Sequence, residues 1–475
     1  MNRRLTRASL VLGGGLLVIG GCARRSVGDD FADVQRTLAE RQSQTIRWNR
    51  NSGEDQEAVR LVRDLLTREL NADAAVQIAL LNHRSLQALY EDLGIAQADL
   101  VRAGLPRNPV FDASARFQRG GGVNLEFSLV ANFLDLFFIP LRKELAGTAL
   151  ASAKLQVAAA VVDHAADTRR AFYHVQAVAQ VLDLRRTVFQ AVSASWDLAQ
   201  RLHEAGNTTD LDLAIERGFF EEAKLDLAMA EGGLTGAREN VTLLMGLWGT
   251  DIAWTLPARL PDLPAAESPL DAVEGRAIDR NLRLAAAKAE ITGAAARLGV
   301  AKPFGILADS DVGISAERDP EGTWGVGPAL SIPLPLFNRG GAARDSAAAS
   351  LRASQARFYA EAVAIRAHAR MARNRVLATR AQATYLLGVL LPLRAEIVAR
   401  TLEQYNGMQV SPFQLIAAKQ QQIETGVRYV EALGDYWNAR ADLERLLDGG
   451  SPDGGAEVLS PRSGNAATSY RGDHP

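Results

Sequence analysis

The sequence predicts a mainly α-helical protein with a small transmembrane β portion, built from one unit used twice. Three observations carry this. Two pairs of alternating apolar and polar runs recur at an offset of about 200 residues. A helical pattern of about 65 residues follows each pair without interruption, roughly 100 Å at 1.5 Å per residue. Each long pattern then meets a turn and a returning helix, the signature of a helical hairpin.

The runs come first, because they set the fold class. Val123, Leu125, Phe127, Leu129, Ala131 and Phe133 alternate with Asn124, Glu126, Ser128, Val130 and Asn132. Trp324, Val326, Pro328, Leu330, Ile332, Leu334 and Leu336 alternate with Gly325, Gly327, Ala329, Ser331, Pro333 and Pro335. A period of two puts each set on one side of a sheet. Phe111, Ala113, Ala115 and Phe117 form a partner run. Phe304, Ile306, Ala308, Val312 and Ile314 form another. Strands are expected near 110–119, 123–134, 303–316 and 323–336. Runs of about ten residues suit tilted strands crossing a bilayer. No internal apolar run reaches the length of a membrane helix, so a spanning part has to be made of strands. The net charge of −2, from 53 basic and 55 acidic residues, leaves no electrostatic footprint for nucleic acid.

The helices follow from periodicity. Val175, Leu182, Phe189 and Trp196 recur every seven residues, with Val178, Val192 and Ala199 beside them and Arg185 interrupting the seam. Heptad spacing marks coiled-coil packing. Pro140 is expected to open this helix and Pro392 to bend its counterpart. Before the strands, a helix is expected from Asp73 to about Leu100. Residues 31–46 and 55–70 should form two further helices in a segment with few core anchors. The pattern divides the chain into a signal (1–21), an N-terminal extension (22–70), a first repeat (71–247), a linker (248–268), a second repeat (269–448) and a disordered tail (449–475).

The N-terminus resembles a bacterial lipoprotein signal. Arg3, Arg4 and Arg7 precede an apolar core, and Val18-Ile19-Gly20-Gly21 leads to Cys22, the single cysteine of the chain. The resemblance implies lipidation of Cys22. Ala23, in place of aspartate, implies the outer rather than the inner membrane. An ordinary secretory signal with a chance cysteine is the alternative.

Taken together, the duplication, Gly104-Leu105-Pro106-Arg107-Asn108-Pro109, Ile332-Pro333-Leu334-Pro335-Leu336-Phe337-Asn338-Arg339-Gly340 and the turn from Tyr405 to Ala418 resemble the TolC-like outer membrane efflux proteins. The proline-rich strand exit looks most like their heavy-metal and cation branch. The resemblance implies a homotrimer with a shared twelve-stranded β-barrel, continued by a long periplasmic α-helical barrel. It also implies a lipid-anchored place in the outer membrane, a periplasmic adaptor and an inner-membrane pump as partners, and passive conduction. Trimerisation fits the physics, since four strands cannot close a barrel and open edges are not tolerated in lipid.

In that family the helical turns meet the adaptor. Here they are Gly206, Asn207, Thr208 and Thr209, and Gly407, Val410 and Ser411; the same residue types would also serve as plain helix caps. Asp210, Asp212 and Glu216 would become rings of negative charge under threefold symmetry, a cation-attracting gate. The alternative is acids balancing a helix dipole. The second turn departs from the family's acidic pattern, with Gln414 and Ala417. No catalytic motif and no cofactor site is evident, and the six histidines lack metal-ligand spacing. Against the exit duct stand a periplasmic coiled-coil scaffold without a pore, a type I secretion component and a lipid-anchored enzyme.

Overall fold

The computed structural model describes residues 27–50, 53–117, 122–132, 135–267, 269–301, 310–319, 321–332 and 340–452. Cys22, the glycine loop at 120–121, Phe133, Phe304–Ala308 and the 333–339 strand exit lie outside them. Two helices, α1 (Val27–Ala39) and α2 (Gly53–Leu66), lead into α3 (Ala72–Asn82) and α4 (Arg84–Ala103). Strands β1 (Val110–Phe117) and β2 (Val123–Ala131) follow. The long helix α5 (Asp135–Glu204, 70 residues) and its return α6 (Asp210–Met245) complete the first half. The second half repeats this order: α7 (Val273–Arg280), α8 (Leu282–Ala301), β3 (Asp311–Arg318), β4 (Trp324–Ser331), α9 (Gly341–Tyr385), α10 (Leu391–Asn406) and α11 (Pro412–Leu447).

The strands form one antiparallel sheet in the order β1-β2-β3-β4. Their register keeps every apolar set on the same face. Phe111 pairs with Leu129, Leu129 with Ile314 and Ile314 with Pro328. The opposite face carries Asp112, Ser128, Ser315 and Gly327 at the neighbouring level. A one-residue slip in any strand would put its apolar set among these polar groups. Pro328, which cannot donate to a ladder, sits on the edge strand β4. Phe111, Val326 and Leu330 remain largely exposed.

The helices depart from expectation in four ways. First, α5 begins at Asp135, and Pro140 lies inside its second turn rather than opening it. Second, the helix expected from Asp73 breaks at His83, which is extended at φ −68°, ψ 118°. Its repeat equivalent Asn281 has φ −66°, ψ 119°. In each half an asparagine at the break clamps the end of that half's return helix. Asn82 Nδ2 donates to Gly246 O at 2.6 Å, and Asn281 Nδ2 to Gly450 O at 3.0 Å. Third, Pro392 is met by a π-turn at Leu386–Leu390, closed by Leu391 N–H to Leu386 O. One extra residue per turn takes up the ring that would press on the carbonyl four residues back. Fourth, α5 and the 341–406 helical stretch each contain a window apolar enough by composition to cross a membrane. In α5 the apolar run Val157–Val162 is buried core.

That core sits around the middle of α5. The N-terminal extension is anchored there, contrary to the expectation of few anchors. Phe31 packs edge-on to Tyr90 and tilted on Trp48, whose Nε1 donates to Glu91 at 2.8 Å. Asp30 is fully buried beside Lys154 Nζ at 2.6 Å. Toward its far end α5 packs on α6 and α11 through the heptad residues, with Leu182, Val192 and Ala199 buried. Arg185, which breaks that seam, pairs with Asp226 on α6 at 3.3 Å and Glu424 on α11 at 2.8 Å, tying three helices together.

His83 and His164 lie with ring centroids 4.3 Å apart, tilted at 43°, beside this core, and His164 Nε2 lies 3.0 Å from Leu244 O. Burial, and after it the facing His83, pushes His164 down to about 3; burial lowers His83 too. A depressed folded-state value favours the neutral ring. The contribution is full above the ordinary histidine range and is lost as pH falls toward 3. Between pH 7 and pH 5 the stability advantage of the wild type over His164→Gln should shrink by about 2 kcal/mol, read from urea midpoints at the two values.

Candidate functional site

Two places concentrate polar structure: the tips of the helical hairpins and the joint where the strands enter α5.

The tips share one construction at an offset of 202. In the first, Asn207 N–H donates to Leu202 O at 2.8 Å, with Gly206 left-handed at φ 70°. In the second, Gln409 N–H donates to Gln404 O at 2.9 Å, and the left-handed residue is Met408 at φ 58°. Both are Schellman closures, which satisfy the last carbonyls of a helix. Thr209 and Ser411 then cap the returning helices. Each hydroxyl accepts from the backbone three residues on, and Asp212 or Gln414 reaches back to the cap's own N–H.

Thr208 and Val410 complete the two turns. Gly407 sits at φ −81°, so it is not the residue that turns the chain. Met408, which sequence reasoning missed, is 94% exposed and is the most prominent apolar group of either tip. The offset itself could have found it, since 206 plus 202 is 408. A left-handed conformation costs a non-glycine residue roughly 1 kcal/mol. Met408→Gly should therefore raise stability by about 1 kcal/mol, measured as a higher urea midpoint.

The three predicted gate acids do not converge. Asp212 accepts from Thr209 Oγ1 at 2.7 Å, and this bond holds its carboxyl below the usual range. Glu216 accepts from Ser195 Oγ on α5 at 2.6 Å. Asp210 has a 99% exposed side chain, with His203 Nε2 3.4 Å away. The first tip thus presents two exposed carboxylates, Asp210 and Asp212, while the second carries Pro412 and Gln414 at the matching places.

At the strand base the centre is Asp135, also missed from sequence. Its carboxylate is nearly buried and takes a bidentate pair from Arg142, at 2.9 Å for each nitrogen. It also accepts from the backbone N–H of Arg107 at 3.2 Å, and Arg142 Nη2 reaches Leu105 O at 3.3 Å. The Gly104–Pro109 turn is thereby fastened to the first two turns of α5. Bidentate arginine–carboxylate geometry fixes orientation as well as energy.

No group of three or more histidine, cysteine, aspartate or glutamate side chains suited to a metal ion occurs among the described residues.

The fold as a whole recurs in solved structures. The outer membrane channel CmeC of Campylobacter jejuni superposes with a TM-score of 0.68 at 13% identity, over 80% of this chain and 85% of that one. This chain has the TolC-like outer membrane channel fold. The outer membrane protein VceC of Vibrio cholerae gives a TM-score of 0.65 at 15% identity, covering 80% of this chain and 96% of VceC. The open state of the MtrE outer membrane channel of Neisseria gonorrhoeae gives 0.62 at 17%, covering 80% and 89%. No protein-family model matches this channel-fold chain. Among curated proteins, the cobalt-zinc-cadmium resistance protein CzcC of Cupriavidus metallidurans is 24% identical over 314 residues, spanning 64% of this chain and 71% of CzcC.

Proposed function

We propose that this chain is the outer membrane exit duct of a tripartite efflux system. In this reading three copies close one twelve-stranded barrel, anchored by lipid on Cys22. Their helices extend it through the periplasm to an adaptor and an inner-membrane pump. The observation that carries the proposal is the sheet. Its four strands share one apolar face and end in open edges, and the long helices α5 and α9 follow β2 and β4 in the chain. An apolar face suits lipid, a polar face suits a water-filled lumen, and only closure removes the edges. The adaptor would meet Gly206, Asn207, Thr208, Thr209, Gly407, Val410, Ser411 and the protruding Met408. Asp210 and Asp212 would ring the periplasmic mouth three times over, while Glu216 braces the hairpin. Similarity to a cobalt-zinc-cadmium resistance protein supports divalent metal cations as the cargo.

Single-channel conductance in a planar bilayer, with the detergent-solubilised mass measured alongside, tests this. Discrete channels from a trimer are expected, with cation preference reduced in Asp210→Asn/Asp212→Asn. A stable water-soluble monomer would overturn the duct and leave a scaffold without a pore. Within the barrel, Leu129→Arg on the apolar face should cost about 2–4 kcal/mol of membrane-inserted stability, and Ser128→Arg on the opposite face much less. Heat-modifiable migration of the inserted protein reads the difference.

A further inference from the structure

At the end of the sheet where the chain enters α5, large apolar side chains stand in solvent. Leu105 and Leu136 are exposed, and Phe137 is 70% exposed. They belong to the Gly104–Pro109 turn and the first turn of α5, which the Asp135 carboxylate fastens together. In the chain they flank the last apolar level of the sheet, Ala131–Val312–Leu330. The described strands are eight or nine residues long. At about 3.4 Å per residue and a tilt of about 40°, eight residues span roughly 20 Å of height. The apolar band of a membrane barrel is about 25 Å tall, and flanking side chains can make up such a shortfall.

Positive charge rims this apolar patch. Lys143 lays its stem along Gly104, where an added β-carbon would stand 3.3 Å from Lys143 Cδ. Its ammonium makes no ion pair among the described residues. Arg107, in the middle of the turn, has a 61% exposed side chain and reaches Asp135 with Nε at 3.5 Å. That carboxylate is already held by both outer nitrogens of Arg142. Glu144, the one acid beside Lys143 in the chain, points about 100° around the helix from it. The segments adjoining the sheet, residues 97–107, 135–145, 295–301 and 341–351, hold six basic and four acidic side chains. The surplus is positive.

We propose that this joint seats an anionic phospholipid of the periplasm-facing leaflet. Leu105, Leu136 and Phe137 enter the edge of the hydrocarbon, while Lys143 and Arg107 hold the headgroup phosphate. The inference rests on the outer membrane duct proposed above and adds the lipid that surrounds its base. Lysine and arginine suit that boundary, because their stems lie in the apolar layer while their charges stay in water. Aromatic rings gather at the same depth. Each cation close to an anionic leaflet adds to the attraction. A zwitterionic headgroup offers the same phosphate but brings a cation of its own, so it gains less here. Free phosphate has the charge but no acyl chains for Leu105 and Phe137 to meet.

Native mass spectrometry of the full-length protein in detergent tests the seat, with phosphatidylglycerol, phosphatidylcholine and inorganic phosphate as probes. Phosphatidylglycerol should bind at least about tenfold more tightly than phosphatidylcholine. Arg107→Gln/Lys143→Gln should remove that preference and leave the melting temperature in lipid-free detergent unchanged, since the Arg107 N–H that serves Asp135 is kept. Leu105→Ser/Phe137→Ser should weaken both lipids alike. Equal binding of the two lipids by wild type, or an undiminished preference in the glutamine variant, would overturn the seat and leave the duct standing. Displacement of phosphatidylglycerol by inorganic phosphate would overturn it too, in favour of a free-phosphate site. A serine variant that falls from trimer to monomer with its lipid binding intact would give the surface to a neighbouring copy instead. A water-soluble monomer that binds no lipid would remove duct and seat together. Should a variant misfold, the wild type decides. Its preference for phosphatidylglycerol should fade as salt rises, and a salt-indifferent preference counts against the seat.

Discussion

Asp135→Ala should lower the stability of the protein by about 3 kcal/mol, because it strands a half-buried arginine. Arg142 would lose both carboxylate bonds, and the backbone N–H of Arg107 its acceptor. Removing one partner of such a pair costs far more than replacing both, so Asp135→Leu/Arg142→Met should recover most of the loss. The consequence is local as well as global. The Gly104–Pro109 turn is held to α5 through this carboxylate, so its release should open that turn to limited proteolysis before the helices unfold. Urea midpoints and the site of first cleavage check the two parts. A variant with wild-type midpoint and cleavage would show that the joint is held by strand pairing alone.

The second large effect lies where the chain leaves α11. The tail expected to be disordered is ordered and buried at its start. Asp163, fully buried on α5, accepts Ser451 N–H at 2.6 Å and lies 3.5 Å from Arg283. Leu282 N–H donates to Gly449 O at 3.0 Å. Arg445, 6% exposed, spans Asp167, Asp442 and Pro452 O. Gly449 at φ 98° and Gly450 have no room for a β-carbon, which would collide with Arg280 O and Asp163. Asp163→Ala should cost about 3–5 kcal/mol, since it orphans the buried Ser451 N–H and takes the carboxylate from beside Arg283. Asp163→Asn keeps an acceptor for Ser451 and should cost less. Burial raises Asp163 to about 6 despite the arginines. A raised folded value means the contribution is full below the ordinary carboxylate range and is lost as pH rises through 6. The gap between wild type and Asp163→Asn should therefore narrow from pH 4 to pH 7. Urea unfolding at the two pH values measures it, and a widening gap would contradict the assignment.

Much of this was legible beforehand. Alternation at Val123–Ala131 and Trp324–Ser331 marked the strands and their faces, because a period of two survives any tertiary context. Thr209 and Ser411 were readable as tip residues, because capping chemistry is local. Asp135 and Asp163 were not. Each is an ordinary acid in an amphipathic pattern, and its importance comes from residues far along the chain or in another element. Arg107, whose N–H reaches Asp135, lies 28 positions from it, and Ser451 lies 288 positions from Asp163. Met408 hid behind its neighbour, because Gly407 is the residue that propensity would choose for a left-handed turn.

By itself, then, the sequence determined the duplication, the strand faces, the extent of the two long helical stretches and the places where the chain turns back. All of these depend on periodicity and on neighbours a few residues apart. Tertiary structure decided the helix breaks at His83 and Asn281, the π-turn before Pro392, and the anchoring of Phe31 and Trp48. Those features depend on which surfaces meet, and a linear pattern carries no distance between surfaces until the chain has packed.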